Sequence, residues 1–359
     1  MRTLTVALGD RSYPIHIGEG ILDRLPEFLV EAGVTGAAAL VTDSNVGPLY
    51  ADRVASLLED VRVTCTLPAG EEHKRLDQIE ALCGRFLEAG LDRSSVVVAL
   101  GGGVVGDVAG FAAAVYMRGI RFIQLPTTIV AQVDSSVGGK TGVNHPLGKN
   151  TIGAFHQPSA VIIDMALLET LPDRELRGGL AEAIKHGVIA DETLFAYLER
   201  EAGRILANDV TALIEPVVRS CEIKGSVVSR DEHEHGLRAI LNYGHTFGHA
   251  LEAVSQYTRF LHGEAVALGM HAAALLAGEL GLVDASFVER QRACLLAYGL
   301  PVSWPEIPVD QTLAMMKHDK KATGGAIKFI LPERVGHVVQ RTDISEAYVR
   351  RALLALGSN

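Results

Sequence analysis

Three side chains scattered over the second half of the chain have the types that hold a catalytic metal. They are Glu182 in GLAEAIKHG, His245 in LNYGHTFGHALE and His262 in LHGEAVALGM. Two imidazoles and one carboxylate leave a fourth position open, the ligand count of a catalytic rather than a structural zinc. The same donors also suit cobalt and other divalent ions. Glu182 lies inside the apolar run LAEAI, where an unpaired carboxylate is costly. Its i+3 neighbour Lys185 offers a plain helix salt bridge as the competing explanation. His249 shares a helix face with His245 at i+4 spacing. His186 and His271 read as satisfied or surface histidines.

A second signal lies upstream, in ALGGGVVGDVAG. Gly101, Gly103 and Gly106 satisfy GxGxxG between a predicted strand and a predicted helix. Such glycines let backbone N–H groups approach a pyrophosphate, and the helix adds its positive end. A nucleotide cradle and a Lewis-acid metal in one chain suggest redox chemistry at a carbon bearing oxygen. The cradle follows a later strand rather than the first, and the next strand ends in Gln124, Leu125 and Pro126 with no acid. Asp43, which closes ALVTD, is the candidate ribose acid, with a turn-forming role equally open. A rearranged nucleotide-binding sheet follows from that order.

A third cluster is DSSVGGKTGVNHPLGKN, which gathers Asp134, Lys140, Asn144, His145, Lys149 and Asn150 in what reads as a Gly-rich loop able to wrap a polar ligand. Arg118, Lys185, Lys224 and Arg238 each occur near an apolar run, and KHDKK supplies Lys317, Lys320 and Lys321. Any one of these cations alone reads as surface charge. Beside a metal and a cradle they point to a phosphorylated, carboxylated substrate.

The elements that must position these groups fall into two kinds. Up to about residue 172 short apolar strands alternate with helical spacing, which predicts a parallel, helix-covered sheet. The opening RTLTVALGDRSYPIHIG reads as an appended hairpin. From residue 173 to 359 almost everything has helical spacing, interrupted by one late strand pair in AIKFILPERVGHVVQ. The expectation is an α/β nucleotide-binding domain over 1–172, built on a rearranged Rossmann-like parallel sheet, followed by a mainly α-helical metal- and substrate-binding domain over 173–359. The chain has 359 residues, 48% of them hydrophobic, enough for two buried cores. Its formal net charge of −10 argues against nucleic acid and anionic membrane as partners. Four separated cysteines without a CxxC pair predict buried thiols in a reducing compartment. No signal-peptide pattern or membrane span is read, so the expected location is the cytoplasm.

From about residue 40 to 335 these segments together resemble the 3-dehydroquinate synthase family of sugar phosphate cyclases. GGGVVGDVAGFAAAVYMRGIRFIQLPTT, AQVDSSVGGKTGVNHPLGKNTIGAF, GLAEAIKHG, LNYGHTFGHALE and HGEAVALGM carry the resemblance. It implies zinc or cobalt on Glu182, His245 and His262. It implies NAD contacts from Asp43, Glu71, Lys74, Gly103, Gly106, Asp107, Thr127, Thr128 and Lys149. Catalytic roles fall on His249, Lys140, Lys185, Asn150, Arg118 and Glu234. Substrate contacts fall on Asp134, Lys224, Arg238 and Asn242, with Lys320 or Lys321 joining them. A homodimer is also implied. The implied reaction converts 3-deoxy-D-arabino-heptulosonate 7-phosphate into 3-dehydroquinate and phosphate by transient oxidation, elimination, reduction and aldol closure. Another sugar phosphate cyclase, or a polyol dehydrogenase of the glycerol dehydrogenase type, is the alternative. Departures from the family pattern are small: His73 in GEEHK and Thr151 after the Gly-rich segment.

Overall fold

A computed structural model describes residues 1–322 and 327–357, with 318–322 described by their backbone alone. The chain divides into two compact units, one of Met1–Leu171 with Leu213–Glu232, the other of Pro172–Ala212 with His233–Asn359. No described helix is long and apolar enough to cross a membrane.

The first unit is built on β1 (Arg2–Val6), β2 (Tyr13–Gly18), α1 (Leu25–Glu31), β3 (Ala38–Asp43), α2 (Gly47–Ser56), β4 (Val61–Leu67), α3 (Leu76–Glu88), β5 (Val96–Gly101), α4 (Gly103–Val115), β6 (Arg121–Pro126), β7 (Lys140–His145), β8 (Gly148–Phe155) and β9 (Ala160–Asp164). Seven strands form one sheet in the order β1-β2-β9-β6-β5-β3-β4. All its pairings are parallel except β1 with β2. The central strands are continuous apolar runs because both faces are covered. Along β5, Val97 and Ala99 join Ala39, Val41 and the α3 and α4 side chains Ile79, Phe86 and Val108 in one core. Their neighbours Val96, Val98 and Leu100 join Leu40, Phe28 and Val54 in the other. The opening hairpin is therefore no appendage, since β2 pairs with β9 in register Ile15 with Val161.

The segment expected as a Gly-rich loop over 134–150 is ordered differently. A single wide helical turn spans Ala131–Ser135, and β7 and β8 then form an antiparallel hairpin. Its glycines serve close pairing rather than flexibility. Gly142 faces Gly153 across the ladder, and a Cβ on Gly142 would stand 2.6 Å from the Ile152 carbonyl oxygen.

The second unit contains α5 (Asp173–Ala190) and α6 (Glu192–Leu206). The long helix α7 (Val210–Arg230) begins there, and from Leu213 its residues belong to the first unit. The continuous second domain expected from the sequence is thus interrupted. The reason is local: Cys221 Sγ bonds the Gln132 carbonyl at 3.2 Å, and Ser229 Oγ accepts from the Ala7 amide at 3.1 Å. The rest of the unit is α8 (His245–Val254), α9 (His262–Glu279), α10 (Ala285–Ala297), α11 (Val309–Ala322), the hairpin of β10 (Phe329–Arg334) and β11 (His337–Arg341), and α12 (Glu346–Gly357). Small residues let its central helices touch backbone to backbone. A Cβ on Gly269 of α9 would collide with the Gly244 carbonyl and come within 2.8 Å of the Gly248 amide. One on Gly263 would collide with the Gly178 carbonyl of α5. Helices α5, α8 and α9 are the three that carry Glu182, His245 and His262.

Candidate functional site

Each of the two imidazoles opens a helix, His245 at the start of α8 and His262 at the start of α9. The positive end of a helix disfavours a cationic ring. Glu182 lies in the middle of α5 and is fully buried. Its two oxygens divide their work. Oε2 pairs with Lys185 Nζ, and Oε1 stands 3.7 Å from His245 Nε2 and 3.7 Å from His262 Nε2. The Lys185 salt bridge and the approach of the two imidazoles, each favoured by a different reading of Glu182, occur together in the geometry.

Those three ligand atoms lie within 4.8 Å of one another. Ligand atoms around one tetrahedral zinc are spaced by roughly 3.3 Å at the usual bond lengths. A separation of 3.7 Å is too long for a hydrogen bond, and Oε1 of Glu182 has no hydrogen-bond partner among the described residues. A buried carboxylate oxygen aimed at two imidazole nitrogens fits a bound cation. The donor chemistry agrees. Burial, and after it the Lys185, His249 and His262 charges, hold the His245 pKa well below its ordinary value. His245 Nδ1 donates to the Tyr243 carbonyl at 3.2 Å, which leaves Nε2 as the lone-pair nitrogen.

The remaining candidates of this unit are placed in different settings. His249 is exposed, its ring edge-on to His245 at 5.3 Å. Arg238, in the 3-10 turn Leu237–Asn242, is 2% exposed. Asn242 Nδ2 donates to Glu234 Oε1 at 3.0 Å, and Glu234 holds a left-handed φ of 60°. Glu252 was not singled out in the sequence. It is buried in α8 with Oε1 3.2 Å from His262 Nδ1. Its signal is a carboxylate inside the apolar stretch HALEAV, three residues past His249. His186 and His271 are fully buried, not surface residues. No hydrogen bond reaches either His271 nitrogen among the described residues, and burial lowers its pKa to about 4. Lys317 Nζ pairs with Glu346 Oε2 at 2.6 Å. The side chains of Lys320 and Lys321 lie outside the described residues.

In the first unit the cradle has the predicted form. β5 ends at Gly101, α4 begins at Gly103, and the Thr127 amide bonds back to the Gly101 carbonyl at 3.0 Å. Thr128 Oγ1 accepts from the Ala131 amide at 3.2 Å. Lys74, only 4% exposed, is the hub. Its Nζ lies 2.5 Å from Asp107 Oδ2 and 2.5 Å from Asn150 Oδ1. Burial works against this ammonium, but Asp107 and Glu71 outweigh it and its pKa is raised. Asn144 ties the group together, donating to Glu71 Oε1 at 2.8 Å and accepting from the Asn150 amide at 2.8 Å. Five residues singled out in three separate segments, Glu71, Lys74, Asp107, Asn144 and Asn150, thus form one network. Lys224 Nζ sits on Asp134, 2.8 Å from Oδ1 and 2.7 Å from the carbonyl.

Other candidates are placed differently. Asp43 Oδ1 accepts from the amides of Asn45 and Val46 at 2.8 and 2.9 Å, so the turn-forming role is realised. Lys140 is exposed at the start of β7, and Lys149 is half-buried in β8. Arg118 is exposed just past the C-terminus of α4, about 20 Å along the helix axis from the cradle. Arg118 and its neighbour Met117 both take left-handed φ, 68° and 48°. Two such non-glycine residues in succession are a strained arrangement.

Comparison with known proteins bears on this chemistry. The family model of the 3-dehydroquinate synthase N-terminal region matches residues 64–178, and that of the C-terminal region matches 179–322. The chain is 52% identical over 358 residues to a 3-dehydroquinate synthase of Acidithiobacillus ferrooxidans, covering 99% of this chain and 98% of the relative. Among solved structures it is similar to the 2-epi-5-epi-valiolone synthase ValA from Streptomyces hygroscopicus, solved with NAD+ and Zn2+ bound. That match has a TM-score of 0.89, 30% identity and 98% coverage of both chains. It is also similar to a 2-deoxy-scyllo-inosose synthase complexed with carbaglucose-6-phosphate, NAD+ and Co2+, at TM-score 0.86 and 26% identity, covering 98% of this chain and 99% of that one.

Proposed function

The chain belongs to the 3-dehydroquinate synthase family, and from that premise we propose how its residues divide the work. The reaction is the conversion of 3-deoxy-D-arabino-heptulosonate 7-phosphate to 3-dehydroquinate and phosphate, a carbon–oxygen lyase reaction that ends in ring closure. NAD and a divalent metal, zinc or cobalt, are its cofactors. Bound NAD would supply a transient hydride acceptor for a secondary alcohol, with no net redox change over the cycle. The metal, when bound, supplies Lewis acidity to the oxygen of the reacting alcohol. Glu182, His245 and His262 hold that metal.

In the first unit, the start of α4 at Gly103 and Gly106 offers backbone N–H groups and the positive helix end to the dinucleotide phosphates. Glu71, Lys74, Asp107, Thr127, Thr128 and Lys149 complete the cofactor contacts, with Asp43 at the ribose. Lys74 links Asp107 on this side to Asn150, a residue assigned to the substrate. Lys140, Lys224, Arg238 and Asn150 grip the phosphate and carboxylate groups, with Asp134, Asn242 and Glu234 fixing the orientation of their partners. Lys224 already has a directional contact in Asp134, so its ammonium is pre-oriented. Lys185 stabilises the Glu182 carboxylate. His249, exposed beside the triad and outside it, relays the alcohol proton as a neutral imidazole. Arg118 joins the catalytic set, the lysines at 320 and 321 contribute one substrate contact, and the enzyme works as a homodimer.

The observation that carries this reading is the equal 3.7 Å approach of the buried Glu182 Oε1 to the nitrogens of two partly exposed imidazoles. Phosphate release from heptulosonate phosphate with and without NAD tests it. Glucose 6-phosphate and sedoheptulose 7-phosphate serve as the alternative cyclase substrates. Expected is NAD-dependent phosphate release from the heptulosonate alone, with no accumulation of NADH. Net NADH formation in proportion to substrate would instead identify a dehydrogenase.

A further inference from the structure

We propose that Glu252 is a positioning residue that fixes the tautomer and tilt of His262 for metal binding. The inference rests on the metal reading given above and extends it by one shell. Glu252 lies seven residues beyond His245 on α8, two turns along one helix face, and is 3% exposed. Its Oε1 stands 3.2 Å from His262 Nδ1. A carboxylate only accepts, so Nδ1 carries the proton and donates it. The lone pair is then confined to Nε2, the nitrogen that faces Glu182 Oε1 at 3.7 Å. His245 receives the same treatment from a different acceptor, the Tyr243 carbonyl. Each imidazole of the set thus has its far nitrogen occupied.

A second grouping, His249, Glu252 and His262, also has three donor atoms within 4.8 Å. It competes for Glu252 as a direct ligand. His262 turns a different nitrogen to each carboxylate: Nδ1 faces Glu252, and Nε2 faces Glu182. A carboxylate hydrogen-bonded to the outer nitrogen of a metal-bound histidine raises its basicity and locks its ring, and loss of such a partner typically weakens metal binding by about 10–100-fold.

The test uses the full chain stripped of metal and titrated with zinc against a chromogenic chelator. Wild type should bind one zinc per chain, and His245→Ala should abolish that binding. If wild type binds none, the metal reading itself fails. Glu252→Leu should bind zinc about 10–100-fold more weakly. Glu252→Gln, whose side-chain oxygen still accepts from Nδ1, should recover most of that loss. The cobalt-substituted Leu variant should also show a changed visible absorption spectrum, which a purely structural contact would leave alone. Independently of any substitution, 15N-histidine spectra of the zinc-loaded wild type should show His262 metal-bound at Nε2 and protonated at Nδ1. Wild-type zinc affinity and an unchanged cobalt spectrum in Glu252→Leu would overturn the proposal. So would metal on Nδ1, or two zinc ions per chain.

Discussion

Replacing Lys185 with methionine separates the two duties of Glu182. Methionine fills a similar volume, so the change is chiefly electrostatic. Both side chains are only 1% exposed, and removing the ammonium leaves Glu182 desolvated without that counter-charge. Breaking a buried pair in this way costs about 3–5 kcal/mol. Zinc at Oε1 supplies a replacement positive charge, so the loss should shrink once the metal is bound. The two states are joined by a thermodynamic cycle. If about 3 kcal/mol is regained on loading, the variant must bind zinc roughly a hundredfold more tightly than wild type, since each 1.4 kcal/mol is tenfold. Chemical denaturation of the chelator-treated and zinc-saturated proteins measures one side of the cycle. Competition with a chromogenic chelator measures the other. A metal-free variant as stable as wild type, or one that zinc does not rescue, refutes the idea that Lys185 and the metal stabilise the same carboxylate.

Gly269→Ala should destabilise the second unit by about 1–3 kcal/mol and weaken zinc binding with it, because the new Cβ meets the Gly244 backbone and forces α8 from α9; unchanged thermal unfolding and zinc affinity would count against that packing account. Lys74 has a raised pKa in the folded chain, so its stabilising contribution is complete below its ordinary value of 10.5 and is lost as pH rises through the raised one. Denaturation from pH 9 to 11.5 should therefore show an alkaline loss of stability in wild type that is smaller in Lys74→Met. His249→Ala should keep its zinc, since the triad does not include it, while NADH formation in a single turnover slows; a normal rate would remove His249 from the proton path.

Much of the chemistry was legible because it depends on residue type. A carboxylate in LAEAI and two histidines at helix starts stand out by type, and the fold does bring them together; GxGxxG after VVVAL does open a helix. What stayed hidden depends on pairing partners far away in sequence. The segment 134–150 reads as a loop because the glycines at 142 and 153 face each other across a hairpin, a relation no local pattern reveals. Glu252 reads as one more polar position of an amphipathic helix until α9 brings His262 to it. Helical periodicity identified α7 well, yet periodicity says nothing about which sheet a helix covers. That is why its return to the first unit was missed.

The return of Leu213–Glu232 to the first unit has a consequence for how the molecule is made. During synthesis the sheet emerges early, but the helical strip that bonds Ala7 and Gln132 and holds Lys224 against Asp134 leaves the ribosome only after α5 and α6. The N-terminal portion therefore cannot finish folding until Glu232 has emerged, by which point α5 and α6 of the second unit are already outside the ribosome. Its last components arrive as the second unit is beginning to form, so maturation of the two is interleaved in time rather than sequential.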